Sequence, residues 1–143
     1  MTGENKALPL LTERQILEAP ESDYMNDAQL AFFKARLIEL HDTTRERIRE
    51  VKEHMQDQPD LADFNDRASW EEQWALSMRI VEREQKLLPK IIQSLERIRL
   101  GEYGYCMESG EPIGIPRLLA RPTTEFCADV KNLKEVGEHL YKH

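Results

Sequence analysis

Apolar residues in the first half of the chain recur at helical spacing: Leu30, Phe33, Leu37, Leu40, Ile48, Val51 and Met55 step by three or four, with Thr44 filling the one gap. A second series runs through Trp70, Trp74, Ser77, Val81, Glu84, Leu88, Ile91, Leu95 and Ile98, with Ser77 and Glu84 as polar members of the stripe. Each stripe is narrow, which is the pattern of a two-helix coiled-coil seam. Two such arms with a short connection fold back antiparallel. Pro59 and the Asp-rich stretch around it favour a reversal over one bent helix, because proline inside a helix costs about 3 kcal/mol. From Leu30 to Met55 is 26 residues, so the hairpin would extend roughly 39 Å at about 1.5 Å per residue.

Capping residues mark the ends of these elements. Asn26, with Gln29 three residues on, reads as the N-cap of the first arm, and Asp66 or Ser69, the latter boxed with Glu72, as the cap of the second. Thr12 and Gln15 form a capping box for a short helix whose Leu10, Leu11, Ile16 and Leu17 are expected to pack on a globular head. Pro89 falls inside the second stripe, where it removes a donor and crowds the carbonyl four residues earlier, so a kink is expected there.

After Gly3 no glycine occurs until Gly101; then Gly104, Gly110 and Gly114 follow, with Pro112, Pro116 and Pro122 among or just after them. The long helical region ends near residue 100 and turns begin. Thr123 to Ala128 opens a last helix with Val130, Leu133, Val136 and Leu140 on one side. The predicted fold is mainly α. Residues 1–27 pack on the head, 28–100 form a coiled-coil hairpin with an acidic tip at 57–68, and 101–143 form the head with its C-terminal helix.

Length and composition narrow the class. At 143 residues a single domain is the default, and with 33% charged residues and a mean hydropathy of -0.66 the chain is too polar to supply a membrane span. The start, Met1 to Lys6, lacks the basic and apolar stretches of a signal peptide, so a cytoplasmic location is expected. A net charge of -7 argues against DNA as a direct partner, since phosphate neutralisation needs a dense basic face.

The charge is unevenly placed. Asp57, Asp60, Asp63 and Asp66 lie between the arms with no basic residue among them. They serve turns and caps, or they make a narrow negative tip that enters a channel and meets a metal or basic group. Lys86, Lys90, Arg97 and Arg99 fall at the other end of the second arm, and Arg117, Arg121, Lys131 and Lys134 follow. These either solvate the surface or converge on a multiply phosphorylated small molecule.

Cys106 and Cys127 each begin half of a CxxC pair, with Ser109 and Val130 at the completing positions. Four thiolates complete a tetrahedral zinc site; two do not. His139 lies twelve residues along a helix from Cys127, roughly 18 Å away, too far to share an ion. No structural metal is expected, and Tyr103, Tyr105, Ile113, Ile115, Leu118, Leu119 and Phe126 are the candidates for a core that replaces it. A Cys106 to Cys127 disulfide is the competing reading, adding roughly 3 kcal/mol in the loop-entropy model, but a reducing cytoplasm makes it conditional.

The hairpin, the tip Asp63-Phe64-Asn65-Asp66-Arg67-Ala68, the run Tyr103-Gly104-Tyr105-Cys106, and Gly114-Ile115-Pro116-Arg117-Leu118 followed by Ala120-Arg121-Pro122-Thr123 resemble the DksA/TraR family of bacterial transcription regulators over about residues 28 to 140. The resemblance implies a monomer that binds RNA polymerase rather than DNA. It implies a finger placed in the polymerase secondary channel, with open-complex stability altered together with ppGpp, at rRNA and stress-response promoters. The family's active tip falls on Asp63, Asp66 and Ala68, and its ppGpp contacts fall on Lys90, Arg121 and Lys131, with Pro89 beside the first of them. The cysteine box departs from the four-cysteine members and is similar to that of cysteine-depleted paralogs that fold without zinc, which implies a stand-in for a zinc-bearing relative when zinc is scarce.

No catalytic residue is implied. Three alternatives stay open at this stage. A transcript-cleavage factor also sends an acidic coiled-coil tip down the same channel, to help bind a catalytic Mg²⁺. A thiol-redox protein would use the two cysteines, although neither has a CxxC partner. An inert coiled-coil adaptor would show no effect of Asp63→Asn on transcription.

Overall fold

Thr12 opens the first helix by the expected exchange: its Oγ1 accepts the Gln15 N–H, and the Gln15 side chain accepts the Thr12 N–H at 2.9 Å. The computed structural model describes residues 10–56 and 64–141, with side-chain detail at 10–56 and 67–137. Asp57, Pro59, Asp60 and Asp63 lie outside the described residues, and the side chain of Asp66 lies outside them too.

The elements are α1 (Glu13–Glu18), a 3₁₀ turn (Glu21–Asp23), α2 (Asp27–Gln56), α3 (Phe64–Leu100), α4 (Ile115–Ala120) and α5 (Ala128–Tyr141). The long arms α2 and α3 pack together as a hairpin, as their stripes require. Asn26 caps α2, its Oδ1 accepting the Gln29 N–H at 2.9 Å, while the buried Gln29 side chain turns back to the Met25 N–H. The second arm begins earlier than its capping signals indicate. Helix α3 starts at Phe64, so Asp66 and Ser69 lie inside it and neither caps it. It also runs without a break through Pro89, which is exposed.

The described residues fall into two compact units, one from Ile38 to Gln93 and the other made of residues up to Leu37 together with those from Ser94 on. In the first, Ile48, Val81 and Ile91 form the apolar seam beside Thr44 and Glu84, both buried. Glu84 is ion-paired across the hairpin with Arg47. The Thr44 hydroxyl is fully buried and has no hydrogen-bond partner among the described residues.

The second unit is built on Phe33, Leu37, Tyr103, Ile113 and Leu118, all buried. Phe33 packs against Tyr103 with ring centroids 5.5 Å apart, and α1 lies along α4. Of the four N-terminal apolar residues only Ile16 is buried; Leu10 and Leu17 are each about half exposed, because a six-residue helix turns one position inward. The last helix also starts later than Thr123. Residues 123–127 stay in turns held by Thr124 Oγ1 donating to the Arg121 carbonyl at 2.7 Å. Leu133 and Val136 on α5 are exposed, at 72% and 57%. No helix of the described residues is long and apolar enough to cross a membrane.

Candidate functional site

Turn chemistry positions the region from 101 to 127. Gly104, at φ +92°, takes a backbone conformation that a side chain resists, and a Cβ there would meet Met25 Cγ and Sδ at 2.7 Å. That close approach lets Tyr24 reach across: its hydroxyl donates to the Gly104 carbonyl at 2.6 Å and accepts the Gly114 N–H at 2.9 Å. Burial raises the Tyr24 phenol above its ordinary range, and the same effect acts more strongly on Tyr103, whose hydroxyl donates to the Pro122 carbonyl at 2.7 Å. Of the apolar residues expected to pack around the cysteines, Tyr103, Ile113 and Leu118 are buried, while Tyr105, Ile115, Leu119 and Phe126 are half-buried.

The cysteine loop closes by backbone pairing. The Cys106 N–H donates to the Glu111 carbonyl at 2.8 Å, the Gly110 N–H to the Cys106 carbonyl at 2.9 Å, and the Met107 N–H to the Glu125 carbonyl at 2.8 Å. Both thiols are free and belong to buried residues. The Ser109 N–H lies 3.5 Å from Cys106 Sγ, and Ser109 Oγ lies 3.7 Å from Cys127 Sγ while accepting the Glu111 N–H at 3.3 Å. Ser109 thus contacts both sulfurs.

Burial raises the Cys106 thiol, but that effect is outweighed. Hydrogen bonds from the Ser109 side chain and from the Ser109, Cys127 and Glu108 N–H groups bring it down to about 6. Hydrogen bonds to the thiolate win.

The basic residues divide into two groups. Arg97 Nη2 donates to the Glu102 and Tyr105 carbonyls at 3.0 and 2.7 Å, and Arg117 Nε donates to the Phe126 carbonyl at 3.1 Å. These two clamp loops. Arg99 pairs with Glu96, and Lys134 lies 2.8 Å from Glu108 and over the Phe126 ring. Lys90 and Arg121 are exposed and have no ion pair or side-chain hydrogen bond among the described residues, and Lys131 lies 3.8 Å from Glu135. Lys86 is likewise exposed. Lys90 belongs to the Ile38–Gln93 unit and the other two cations to the second unit.

At the start of α3, Ala68 is exposed. The Arg47–Glu84 pair, Tyr24 and the Arg97 clamp were not among the residues singled out by pattern for their partners. Only Glu84 left a signal, as an acid on an apolar seam.

The chain matches two described families: DnaK suppressor protein DksA, N-terminal domain, over residues 29–98, and prokaryotic dksA/traR C4-type zinc finger, over residues 101–135. It is 41% identical over 122 residues to the RNA polymerase-binding transcription factor DksA of Escherichia coli K12, covering 85% of this chain and 81% of that one. It is 37% identical over 137 residues to the factor of the same name from Caulobacter vibrioides, covering 95% and 96%. Among solved structures, transcription factor DksA2 from Pseudomonas aeruginosa matches with a TM-score of 0.78 and 41% identity, covering 90% of this chain and 99% of that one.

A C4-type finger implies zinc on four thiolates. The residues present do not fit that ion. Ser109 offers a hydroxyl already accepting a backbone N–H, Val130 offers hydrocarbon, and α5 is continuous from Ala128 to Tyr141, which carries His139 far from Cys127. Among the described residues no group of three or more His, Cys, Asp or Glu is placed to hold a metal ion. The coiled-coil arms, the glycine-turned loop and the two family matches that together span residues 29–135 agree: the chain belongs to the DksA family.

Proposed function

We propose that the chain is a cytoplasmic, monomeric, non-enzymatic regulator that binds RNA polymerase, places its coiled-coil tip in the secondary channel and, with ppGpp, alters open-complex stability at rRNA and stress-response promoters. The observation that carries this reading is the 41% identity, over 85% of the chain, to a factor named for binding RNA polymerase. Asp63, Asp66 and Ala68 act at the tip; Lys90, Arg121 and Lys131 contact ppGpp at the polymerase interface. The exposed cations Lys90 and Arg121 support that role, since neither is committed to an internal carboxylate.

Promoter-specific transcription in vitro, with and without ppGpp, comparing the parent with Asp63→Asn, is the test. Output from an rRNA promoter falls with the parent, falls further with ppGpp, and is restored by the substitution. Equal output in all four reactions overturns the reading.

We further propose that the protein works without zinc and stands in for a four-cysteine relative when zinc is scarce. Ser109 in contact with both sulfurs and the buried Tyr103, Ile113 and Leu118 support this. Purified protein carries less than one tenth of an equivalent of zinc; one tightly held zinc per chain overturns it.

A further inference from the structure

Polymerase binding leaves Cys106 and Cys127 without a task, yet the fold holds them together. We propose that the pair forms a two-coordinate site for a soft monovalent cation, Cu(I) in particular. Zinc needs four ligands in a tetrahedron. A closed-shell monovalent copper ion is satisfied by two thiolates in a near-linear arrangement, and thiolate and thioether sulfur are the donors that select it.

Ser109 contacts both sulfurs. Its N–H lies 3.5 Å from Cys106 Sγ and its Oγ lies 3.7 Å from Cys127 Sγ. Cys127 sits at the N-terminus of the 14-residue α5, its carbonyl accepting the Lys131 N–H at 3.0 Å, so its sulfur is at the end of the helix that favours an anion. Both residues keep under 10% of their surface, at 3% and 9%, which shields a bound ion from competing water ligands.

There is also a way in. A pocket of about 380 Å³ is lined by Cys106, Met107, Arg97, Gly101, Glu102 and Tyr105. Met107 is 57% exposed and lines the same cavity as Cys106, which makes its soft thioether the relay donor for the incoming ion. Binding is ligand exchange without change of oxidation state. One Cu(I) and two thiols give one bis-thiolate complex of charge -1 and release two protons. The bond tying the Cys106 loop to the start of α5 then becomes covalent in character rather than a set of weak hydrogen bonds.

The full-length protein, reduced and kept free of oxygen, is titrated with Cu(I) against a chromogenic Cu(I) chelator. One ion per chain is expected, with a thiolate-to-copper absorption band. Cys106→Ser and Cys127→Ser each weaken retention at least 100-fold, Met107→Leu keeps the stoichiometry but slows uptake, and zinc added alone is not retained. Retention equal in the parent and in Cys106→Ser/Cys127→Ser, or no retention by the parent, overturns the proposal. X-ray absorption on the copper-loaded parent tests it without a variant: a two-sulfur shell is expected, and a shell of nitrogen or oxygen alone overturns it. Adding the missing thiols as Ser109→Cys/Val130→Cys should switch retention to zinc.

Discussion

At the scale of single residues, the Cys106 thiol carries a pH signature that its environment dictates. Its folded-state value, about 6, is depressed from an ordinary 9.0 by hydrogen bonds to the sulfur that outweigh burial. A depressed acid contributes stability that is fully present above the unfolded value and is lost as pH falls through the folded one. Relative to Cys106→Ser, the parent should therefore be most stabilised near pH 9, lose that advantage as pH falls, and show none below about 6. Thermal unfolding of the two proteins across this range reads the difference, and thiolate ultraviolet absorbance locates the titration directly. A gap that widens as pH falls would contradict the hydrogen-bond origin of the shift. Sequence announced both cysteines and the missing ligands at 109 and 130, because ligand spacing is a local pattern. It did not announce that the Ser109 N–H and hydroxyl would face the two sulfurs, since that depends on backbone folding of residues far apart in the chain.

Elements were the most legible part of the chain. A period of three and four over tens of residues is a long, redundant signal, so both arms emerged, with the seam positions Phe33, Leu37, Thr44, Ile48, Val81, Glu84 and Ile91 buried, whereas Trp74 of the second stripe is 42% exposed. Ends were less legible: Ser69 has the chemistry of a cap but lies five residues inside α3, whose start overrides that weak local preference. Orientation on short elements was least legible, as the exposed Leu10, Leu17, Leu133 and Val136 show. The polar seam members do more than interrupt the stripe. Glu84 is buried and its partner Arg47 is half exposed, so deleting the arginine strands a carboxylate in the seam. Buried pairs broken this way lose about 3–5 kcal/mol, and partial exposure of Arg47 reduces that to roughly 1–3 here. Arg47→Ala should destabilise the hairpin by this amount, whereas Arg47→Met/Glu84→Leu should be neutral or stabilising. Chemical denaturation of the three proteins checks both signs, and equal losses in the single and double variants would show that a stranded Glu84 carboxylate is not the source of the loss.

Along the sequence the chain separates its charges, and that separation is where the proposed effector response belongs. Of the basic residues beyond residue 85, Arg97 and Arg117 hold loop carbonyls, and Arg99 and Lys134 face glutamates. Counting cations along the sequence could not distinguish clamps from contacts, because the carbonyls they serve are set by the turns. Neutralising a clamp should therefore lower stability, while neutralising Lys90, Arg121 or Lys131 should leave folding intact. Each lost charge-assisted hydrogen bond is worth about 1.5–3 kcal/mol, so the ppGpp concentration for half-maximal inhibition of an rRNA promoter should rise roughly 10- to 100-fold in each alanine variant. Inhibition in the absence of ppGpp should stay at the parent's level, because the proposed activity in that reaction rests on the acidic tip. Pro89 makes Lys90 the informative member of the three: α3 continues through it, so the lysine stays within the helix. A normal ppGpp response in Lys90→Ala beside weakened responses in Arg121→Ala and Lys131→Ala would restrict the contact to the two cations of the Ser94–His143 segment. Normal responses in all three would remove the basic residues from the effector's site altogether.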